Sequence, residues 1–299
     1  MIKIKSEIER NYNIKIKKIY RKSTDYYFFT SEDKIYIKFL TNSEIEKINS
    51  IVKISNEIYS KNKLSQTLLI TIDKKYMFEY KNKKIALLKA NKAENDEINF
   101  NNILETCENK NVNMLNKYDI INEWKNEIDN IERKLIEYNK EYPIVMNHIN
   151  YYIGLGENAI CLLNQASNEL DSDKFFLNHN IQENKYSMLN FSNPFNYIRT
   201  FREYDLANYL KYEFYNNKIN FKEIDRLEKM LDQTINKEAF LAIIIFPKEI
   251  FDLTKKILEE HVEEKNILFY TKKIKKLESF INYIQKYIIK KAYIKWLEE

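Results

Sequence analysis

Few residues of this chain have the types and spacing that catalysis or metal binding requires. The three histidines do not form a cluster: they are His148, His179 and His261. Cys107 and Cys161 lack the spacing of a zinc site or a disulfide framework, so we expect two reduced thiols. The only glycines, Gly154 and Gly156, cannot build a glycine-rich phosphate loop, which needs several glycines in one turn.

Composition and charge argue against several further classes of protein. The 299 residues carry 49 basic and 44 acidic side chains, a net charge of +5, and Lys, Asn and Ile are heavily used. This bias is typical of an AT-rich genome, so we do not expect nucleic-acid binding from the basic balance. No apolar run approaches the ~20 residues that span a bilayer. The N-terminus lacks the apolar region of a secretory signal, so we expect a cytoplasmic protein without a transmembrane segment.

The first ninety residues are predicted to follow the order β-β-α-β-β-β. A polar turn at 31–34 separates two β-rich runs, as in a hairpin. Apolar residues at helical spacing from Ile45 to Ile58 predict a helix with Ser43 as its N-cap. The predicted strands are 26–30, 35–40, 68–72, 76–80 and 85–89, and a further alternating run at 14–16 also reads as a strand.

From residue 91 the pattern becomes helical, after a polar connector over 91–113 with one helix. A short strand pair is predicted near 174–177 and 186–191. The predicted helices are about 118–142, 144–168, 203–215, 221–234, 236–245, 248–261 and 271–297. We therefore predict a small β-rich lobe, 1–90, and a large helical lobe, 91–299.

This α+β layout resembles the protein-kinase-like enzymes, which have two lobes around a cleft. Lys38 lies on the strand just before the helix. In that family a lysine there binds nucleotide phosphates and pairs with a glutamate of the helix. Glu44, Glu46 and Glu57 lie on the predicted helix, and Glu44 is taken with Lys38 as a vestigial nucleotide-site position. We predict that Lys38 points into the cleft between the lobes.

Three later segments resemble the spore-coat kinase-like family called YutH. Residues 150–160 are similar to its YYxGLxENAI stretch, 202–210 to its RDLAxxI segment, and 246–251 to its FPxxYF junction. A similar DLA helix occurs in aminoglycoside and choline phosphotransferases and in CotS-type coat proteins. The resemblance covers roughly residues 10–260. It implies a protein made in the mother-cell cytoplasm, deposited on the spore coat, and acting in coat assembly with other coat proteins as partners.

The same resemblance argues against catalysis. Active relatives carry a His-x-Asp loop, whose Asp orients or deprotonates the attacking hydroxyl, and a later Asp that binds Mg²⁺. Here His179 fills the histidine position without an acid partner, Ile181 fills the aspartate position, and Asn190 fills the metal position. Asp205 is interpreted as structural, with its oxygens holding loop amides. We therefore expect a pseudokinase with no cofactor and no metal, although residual ATP binding stays open.

Two alternatives remain. One is an active small-molecule phosphotransferase of the aminoglycoside or choline kinase type with a displaced base, for which Asp171 and Asp173 are the candidates. The other is a nucleic-acid-binding protein, which only the basic balance and the aromatic content favour. Nucleotide binding separates the first alternative from the pseudokinase, and a salt-dependent mobility shift tests the second.

Overall fold

The computed structural model describes most of the chain. The described residues are 2–22, 25–31, 33–90, 97–107, 114–138, 141–169, 175–181, 186–219, 236–290 and 293–294. The predicted helix 221–234 and the candidate bases Asp171 and Asp173 lie outside them. Among the described residues, no helix combines the length and the apolar character needed to cross a membrane.

The first part of the chain is an antiparallel sheet with a helix on each face. The strands are β1 (Ile19–Lys22), β2 (Asp25–Phe29), β3 (Lys34–Leu40), β4 (Thr67–Leu68), β5 (Phe78–Tyr80) and β6 (Lys83–Lys89). Their order is β1-β2-β3-β6-β4, with β5 also paired to β6. The helices are α1 (Ile2–Tyr12) and α2 (Asn42–Asn62).

Alternation along the strands separates two small cores. Ile35 and Ile37 of β3 lie with Ile4 and Ile8 of α1 on one side of the sheet. On the other side, Tyr36 of β3 and the alternate residues Ala86 and Leu88 of β6 pack against α2. The α2 residues of this second core are Ile48, Ile51 and Val52. The sheet is therefore covered on both faces over its central strands.

The structure corrects two strand predictions in the first ninety residues and adds a helix at the start of the chain. Residues 2–12 form a helix because Ile4, Ile8 and Tyr12 recur every four residues and are buried on one side. The predicted strand at 14–16 is wrong, since the N–H of Ile16 donates to Glu9 Oε1 at 2.8 Å rather than to a strand. The predicted strand 68–72 is likewise reduced to Thr67–Leu68.

The remaining chain is mainly helical. Its elements are α3 (Phe100–Cys107), α4 (Ile120–Tyr138), α5 (Pro143–Glu169), β7 (Phe176–His179), α6 (Met188–Phe191), β8 (Tyr197–Thr200), α7 (Tyr204–Tyr215), α8 (Lys237–Ile245), α9 (Lys248–Glu260), α10 (Leu268–Thr271) and α11 (Ile274–Tyr283). Short 3-10 turns cover Pro194–Asn196 and Glu264–Ile267, and a π-helix covers Ile284–Ile289.

Helix α8 is the centre of the large core. Residues Ala239 to Ile245 are all buried, so this helix is apolar all round and packs against α5 and α7. The predicted long helix 271–297 is wrong as one element. It is divided by turns and a π-helix and ends at Lys290, which adopts the left-handed conformation with φ 57°.

The predicted strand pair is also corrected. Strand β7 pairs with β8, with His179 opposite Tyr197, and not with residues 186–191. Residues 188–191 form a helical turn because the side chain of Ser187 accepts the N–H of Asn190 as an N-cap. This change moves Asn190 off the strand on which it was predicted.

Candidate functional site

Lys38 and Glu44 form the ion pair expected at the sheet–helix junction. Lys38 Nζ lies 2.9 Å from Glu44 Oε1, and the two side chains are 33% and 19% exposed. Thr41, rather than Ser43, is the N-cap of α2, and Glu44 Oε2 accepts the N–H of Thr41 at 2.8 Å. One carboxylate therefore closes a capping box and holds the lysine at the same time. The predicted pairing of Lys38 with a glutamate of this helix is confirmed.

The large lobe contributes an aromatic ring to the same place. Lys38 Nζ lies 5.5 Å from the centroid of the Phe195 ring, within the range of a cation–π contact. Phe195 belongs to the 3-10 turn Pro194–Asn196. Together with Leu189 it packs against the small-lobe cluster that contains Tyr36 and Leu88. Lys38 therefore faces the large lobe, as predicted.

A buried hydrogen-bond network joins the two parts of the chain beside this turn. The N–H of Gln66 donates to the carbonyl of Ser192 at 2.7 Å, and its side chain donates to the carbonyl of Leu189 at 3.1 Å. Ser55 Oγ of α2 donates to the carbonyl of Gln66 at 2.5 Å. These contacts fix the 189–192 turn against the C-terminal half of α2.

His179 has an acid partner that the sequence analysis did not identify. Its backbone N–H donates to Asp205 Oδ1 at 2.9 Å, and its Nδ1 lies 2.6 Å from Asp205 Oδ2. Both side chains are 1% exposed. The imidazole stacks on the Phe191 ring with centroids 4.0 Å apart. The expectation that His179 lacks an acid is wrong, because the acid arrives from α7, 26 residues later in the chain.

Asp205 also anchors the strand that carries His179. Its backbone N–H donates to Asn178 Oδ1 at 3.2 Å, while Asn178 Nδ2 donates to the carbonyl of Phe201 at 2.7 Å. The two carboxylate oxygens of Asp205 both contact His179. Asp205 therefore accepts a backbone N–H through one oxygen and contacts the imidazole through the other, while its purely structural role stays a prediction.

Ile181, at the position expected for the orienting aspartate, is buried. It is 8% exposed and belongs to the large apolar core. The residue before it, Asn180, donates its N–H to the carbonyl of Asn196 at 2.7 Å. A branched alkyl group has no lone pair or proton to exchange, so Ile181 performs no acid–base chemistry.

Asn190 and Asn196 are two of the asparagines in this segment, and a hydrogen bond joins them. The carbonyl of Asn190 accepts Asn196 Nδ2 at 2.8 Å. Asn196 directly precedes β8, and its backbone carbonyl, not its side-chain amide, accepts the N–H of Asn180 next to Ile181. Pro194, followed by the β-rich run Tyr197–Thr200, is the sequence signal that could have indicated this turn and strand.

The described residues of this segment do not suit a magnesium ion. Neither 175–181 nor 186–200 contains Asp or Glu. Within the described part of the chain, no group of three or more His, Cys, Asp or Glu could hold a metal. Mg²⁺ favours carboxylate ligands, because their charge offsets the cost of dehydrating so hard an ion. Lys38, in contrast, carries a positive charge, which suits an anionic phosphate.

A second polar feature lies on the large lobe, and none of its lining residues is a predicted site position. A groove of about 640 Å³ separates α4 from α9 and is lined by Glu127, Lys248 and Asp252 among others. Burial raises the pKa of Glu127 to about 7, against the attraction of Lys248. These charged residues come from two helices that are about 120 residues apart in sequence, so no local sequence motif indicates the groove.

The architecture defines a class of protein: a β-rich lobe and a helical lobe in the kinase-like phosphotransferase fold. An aminoglycoside phosphotransferase from Alicyclobacillus acidocaldarius subsp. acidocaldarius DSM 446 superimposes with a TM-score of 0.66 and 10% identity, over 93% of this chain and 94% of that one. Spectinomycin phosphotransferase APH(9)-Ia, solved with ADP and spectinomycin, superimposes with a TM-score of 0.59 and 12% identity. The match covers 91% of this chain and 94% of that one. These likenesses show the fold, which was predicted correctly.

The particular family follows from the sequence. Residues 5–287 match the family described as "Spore coat putative kinase YutH", and the chain belongs to that family. Choline kinase LicA from Streptococcus pneumoniae has a TM-score of 0.50 and 13% identity, over 93% of this chain and 98% of that one. Comparison with curated protein sequences finds no match. The protein is thus a kinase-like member of a spore-coat family.

Proposed function

We propose that this protein is a pseudokinase that acts in spore-coat assembly through protein contacts. The observation that carries the proposal is the burial of Ile181 in the apolar core, at the position where a working phosphotransferase needs an acid. Asp205, the acid that approaches this segment, is engaged by the backbone and ring of His179. No carboxylate among the described residues of this segment is left for a hydroxyl nucleophile.

The metal part of the site supports the same proposal. Both Asn190 and Asn196 are amides, which lack the charge that favours Mg²⁺. The lysine part is intact, because Lys38 retains its Glu44 partner. Residual binding of ATP through Lys38 without a metal is therefore compatible with this geometry, and catalytic use of a cofactor is not proposed.

Membership of this family supports a proposal for the location and the partners of the protein. Because the chain belongs to a spore-coat family, we infer that it is made in the mother-cell cytoplasm and then joins the coat. Other coat proteins would be its partners, and nucleic acid would not. A kinase-like fold without turnover would serve as a rigid scaffold that presents its outer surfaces.

A second candidate is an active small-molecule phosphotransferase with a displaced base. The retained Lys38–Glu44 ion pair is the specific observation in its favour. Asp171 and Asp173 are the candidate bases, and Glu183 is a third acid close to Ile181 in sequence; all three lie outside the described residues. The solved relatives named as aminoglycoside phosphotransferases and choline kinase suggest the substrates to assay.

The experiment that separates the two is phosphoryl transfer from labelled ATP to spectinomycin and to choline, with Mg²⁺ present. We expect no product above the rate without protein, since losing the orienting acid alone costs on the order of 10²–10⁴-fold. ATP should raise the melting temperature equally with and without Mg²⁺, or not at all. Labelled product from either acceptor would favour the phosphotransferase instead.

A further inference from the structure

The end strand of the sheet and the segment that leads into it carry a concentrated positive charge. The segment from Lys15 to Lys22 leads into β1 and forms it, and the side chains of Lys15, Lys17, Lys18 and Arg21 are exposed. We call these four side chains the basic edge. In the part of the chain that the structure describes, Lys15, Lys17 and Lys18 form no ion pair, so no carboxylate neutralises their charge.

Strand β1 is the last strand on its side of the sheet, with β2 as its neighbour. Its register on β2 places Tyr20 opposite Tyr27. An end strand directs alternate backbone N–H and C=O groups away from the sheet, where they can pair with a further strand. Natural proteins often cover such edges, and lysines are one way to keep unsuitable partners away.

Aromatic side chains continue the basic edge onto one face of the sheet. Tyr20 is 39% exposed and Phe29 is 51% exposed. Tyr20 stacks on Tyr27 with ring centroids 5.5 Å apart and meets Phe29 edge-on at 5.8 Å. An added strand would extend this row of rings, since cross-strand neighbours on one face lie within contact distance.

We propose that β1 accepts an extended acidic segment of a partner protein as an additional strand. The lysines select for glutamate and aspartate side chains, and the backbone edge and the Tyr20–Phe29 surface hold the extended chain. This inference rests on the proposed function, a protein that acts through contacts with other coat proteins, and names the surface and the chemistry of the partner.

Two other occupants fit the observations less well. A second copy pairing through its own β1 would place these cationic segments against each other, which is unfavourable. Single-stranded nucleic acid needs open ring faces for its bases to stack. Here Lys18 Nζ lies 5.4 Å from the Tyr20 ring centroid and Lys34 Nζ lies 4.6 Å from that of Tyr27, so these rings are already engaged.

The test is binding of the full chain to a labelled eight-residue peptide of alternating glutamate and valine. We expect saturable binding that weakens as salt is added. The triple variant K15E, K17E, K18E should bind at least about tenfold more weakly, because it reverses three of the attracting charges. The control K272E, K275E, K276E changes the net charge equally on the helical lobe and should bind as the wild type does. Should the charge reversal perturb folding, K15Q, K17Q, K18Q provides the same comparison.

A second set of measurements tests whether the peptide binds as an added strand. The same peptide N-methylated at every residue keeps its charges but loses all backbone donors, so it should not bind. Hydrogen exchange should slow in residues 15–22 when the unmodified peptide is added. Equal binding of the N-methylated peptide, tighter binding of single-stranded DNA, or no effect of the K15E, K17E, K18E changes would each overturn the proposal. The absence of phosphoryl transfer would still be decided by the ATP assays, so the two proposals fail separately.

Discussion

At the scale of single residues, Asp205 is the side chain on which the loop depends most. It satisfies a buried backbone N–H and a buried imidazole at once, and its own N–H is held by Asn178. Such a group stabilises the native loop geometry whether or not the loop performs chemistry. Retention of the His179–Asp205 pair is therefore not evidence for catalysis.

Replacing Asp205 should destabilise the protein strongly. Asp205→Ala leaves the N–H and the ring of His179 buried without their acceptor, and we expect a loss of about 3–5 kcal/mol in the free energy of unfolding. Asp205→Asn keeps one acceptor oxygen and should lose less. Urea unfolding measures both, and Asp129→Asn, an exposed site, should change stability by less than about 0.5 kcal/mol. A loss of the same small size in Asp205→Ala would contradict this role.

Glu203 should make stability depend on pH. Burial raises its pKa to about 7, although the N–H of Asn236 donates to Glu203 Oε1 at 2.7 Å. Between the unfolded pKa, about 4.5, and about 7, the folded protein holds a proton that the unfolded chain has released. The free energy of unfolding therefore falls as pH rises through this window, by about 1 kcal/mol per unit from this group.

The variant Glu203→Gln should remove that contribution, because the amide keeps an acceptor oxygen but does not titrate. Urea unfolding at pH 5, 6, 7 and 8 should show the variant gaining on the wild type as pH rises. Glu127→Gln provides a comparison at a second carboxyl whose pKa burial raises to about 7. A constant difference between Glu203→Gln and the wild type at all four pH values would contradict the assignment.

At the scale of elements, α5 carries two glycines with different surroundings. A Cβ on Gly156 would lie 3.0 Å from Ile128 Cδ1 and 3.3 Å from the Phe251 ring, whereas a Cβ on Gly154 meets nothing within 4 Å. Gly156 thus allows α5 to approach α4 and α9 closely. Gly154 adds only the flexibility of a glycine inside a helix.

The two alanine variants should therefore differ. Gly154→Ala should raise the free energy of unfolding by about 0.5–1 kcal/mol through helix propensity. In Gly156→Ala that gain is offset by crowding in a packed core, so it should be less stable than Gly154→Ala by at least about 1 kcal/mol. Thermal and urea unfolding give the comparison. Equal stability of the two variants would show that the helices move apart without cost.

Elements with regular local patterns were predictable from the sequence, and others were not. The β3–α2 unit was found because the apolar spacing changes period at Thr41, and the Lys38–Glu44 contact spans only six residues. Helix α1 was missed because its short apolar face lies among lysines and glutamates. The apolar residues of 188–191 predict a strand, whereas in the structure Ser187 as N-cap stabilises a helical turn there.

At the scale of the whole molecule, long-range contacts decide how the candidate site is interpreted. The His179–Asp205 pair and the Gln66 network connect residues 26 and more than 120 positions apart, and no local pattern predicts either. The kinase-like fold and the family were predictable, because segment order and spacing extend over most of the chain. The sequence does not predict on which side of the cleft each acidic or amide side chain lies.

The central claim is that this kinase-like chain does not turn over ATP. The most direct measurement is the rate of ADP formation from ATP and Mg²⁺ by the wild type, by Lys38→Ala and by Lys125→Ala, an exposed lysine on α4. Because the described residues of 175–181 and 186–200 offer neither an orienting acid nor a carboxylate for the metal, all three should match the rate without protein. ADP formation by the wild type and by Lys125→Ala that is abolished in Lys38→Ala would contradict the account and establish an active phosphotransferase.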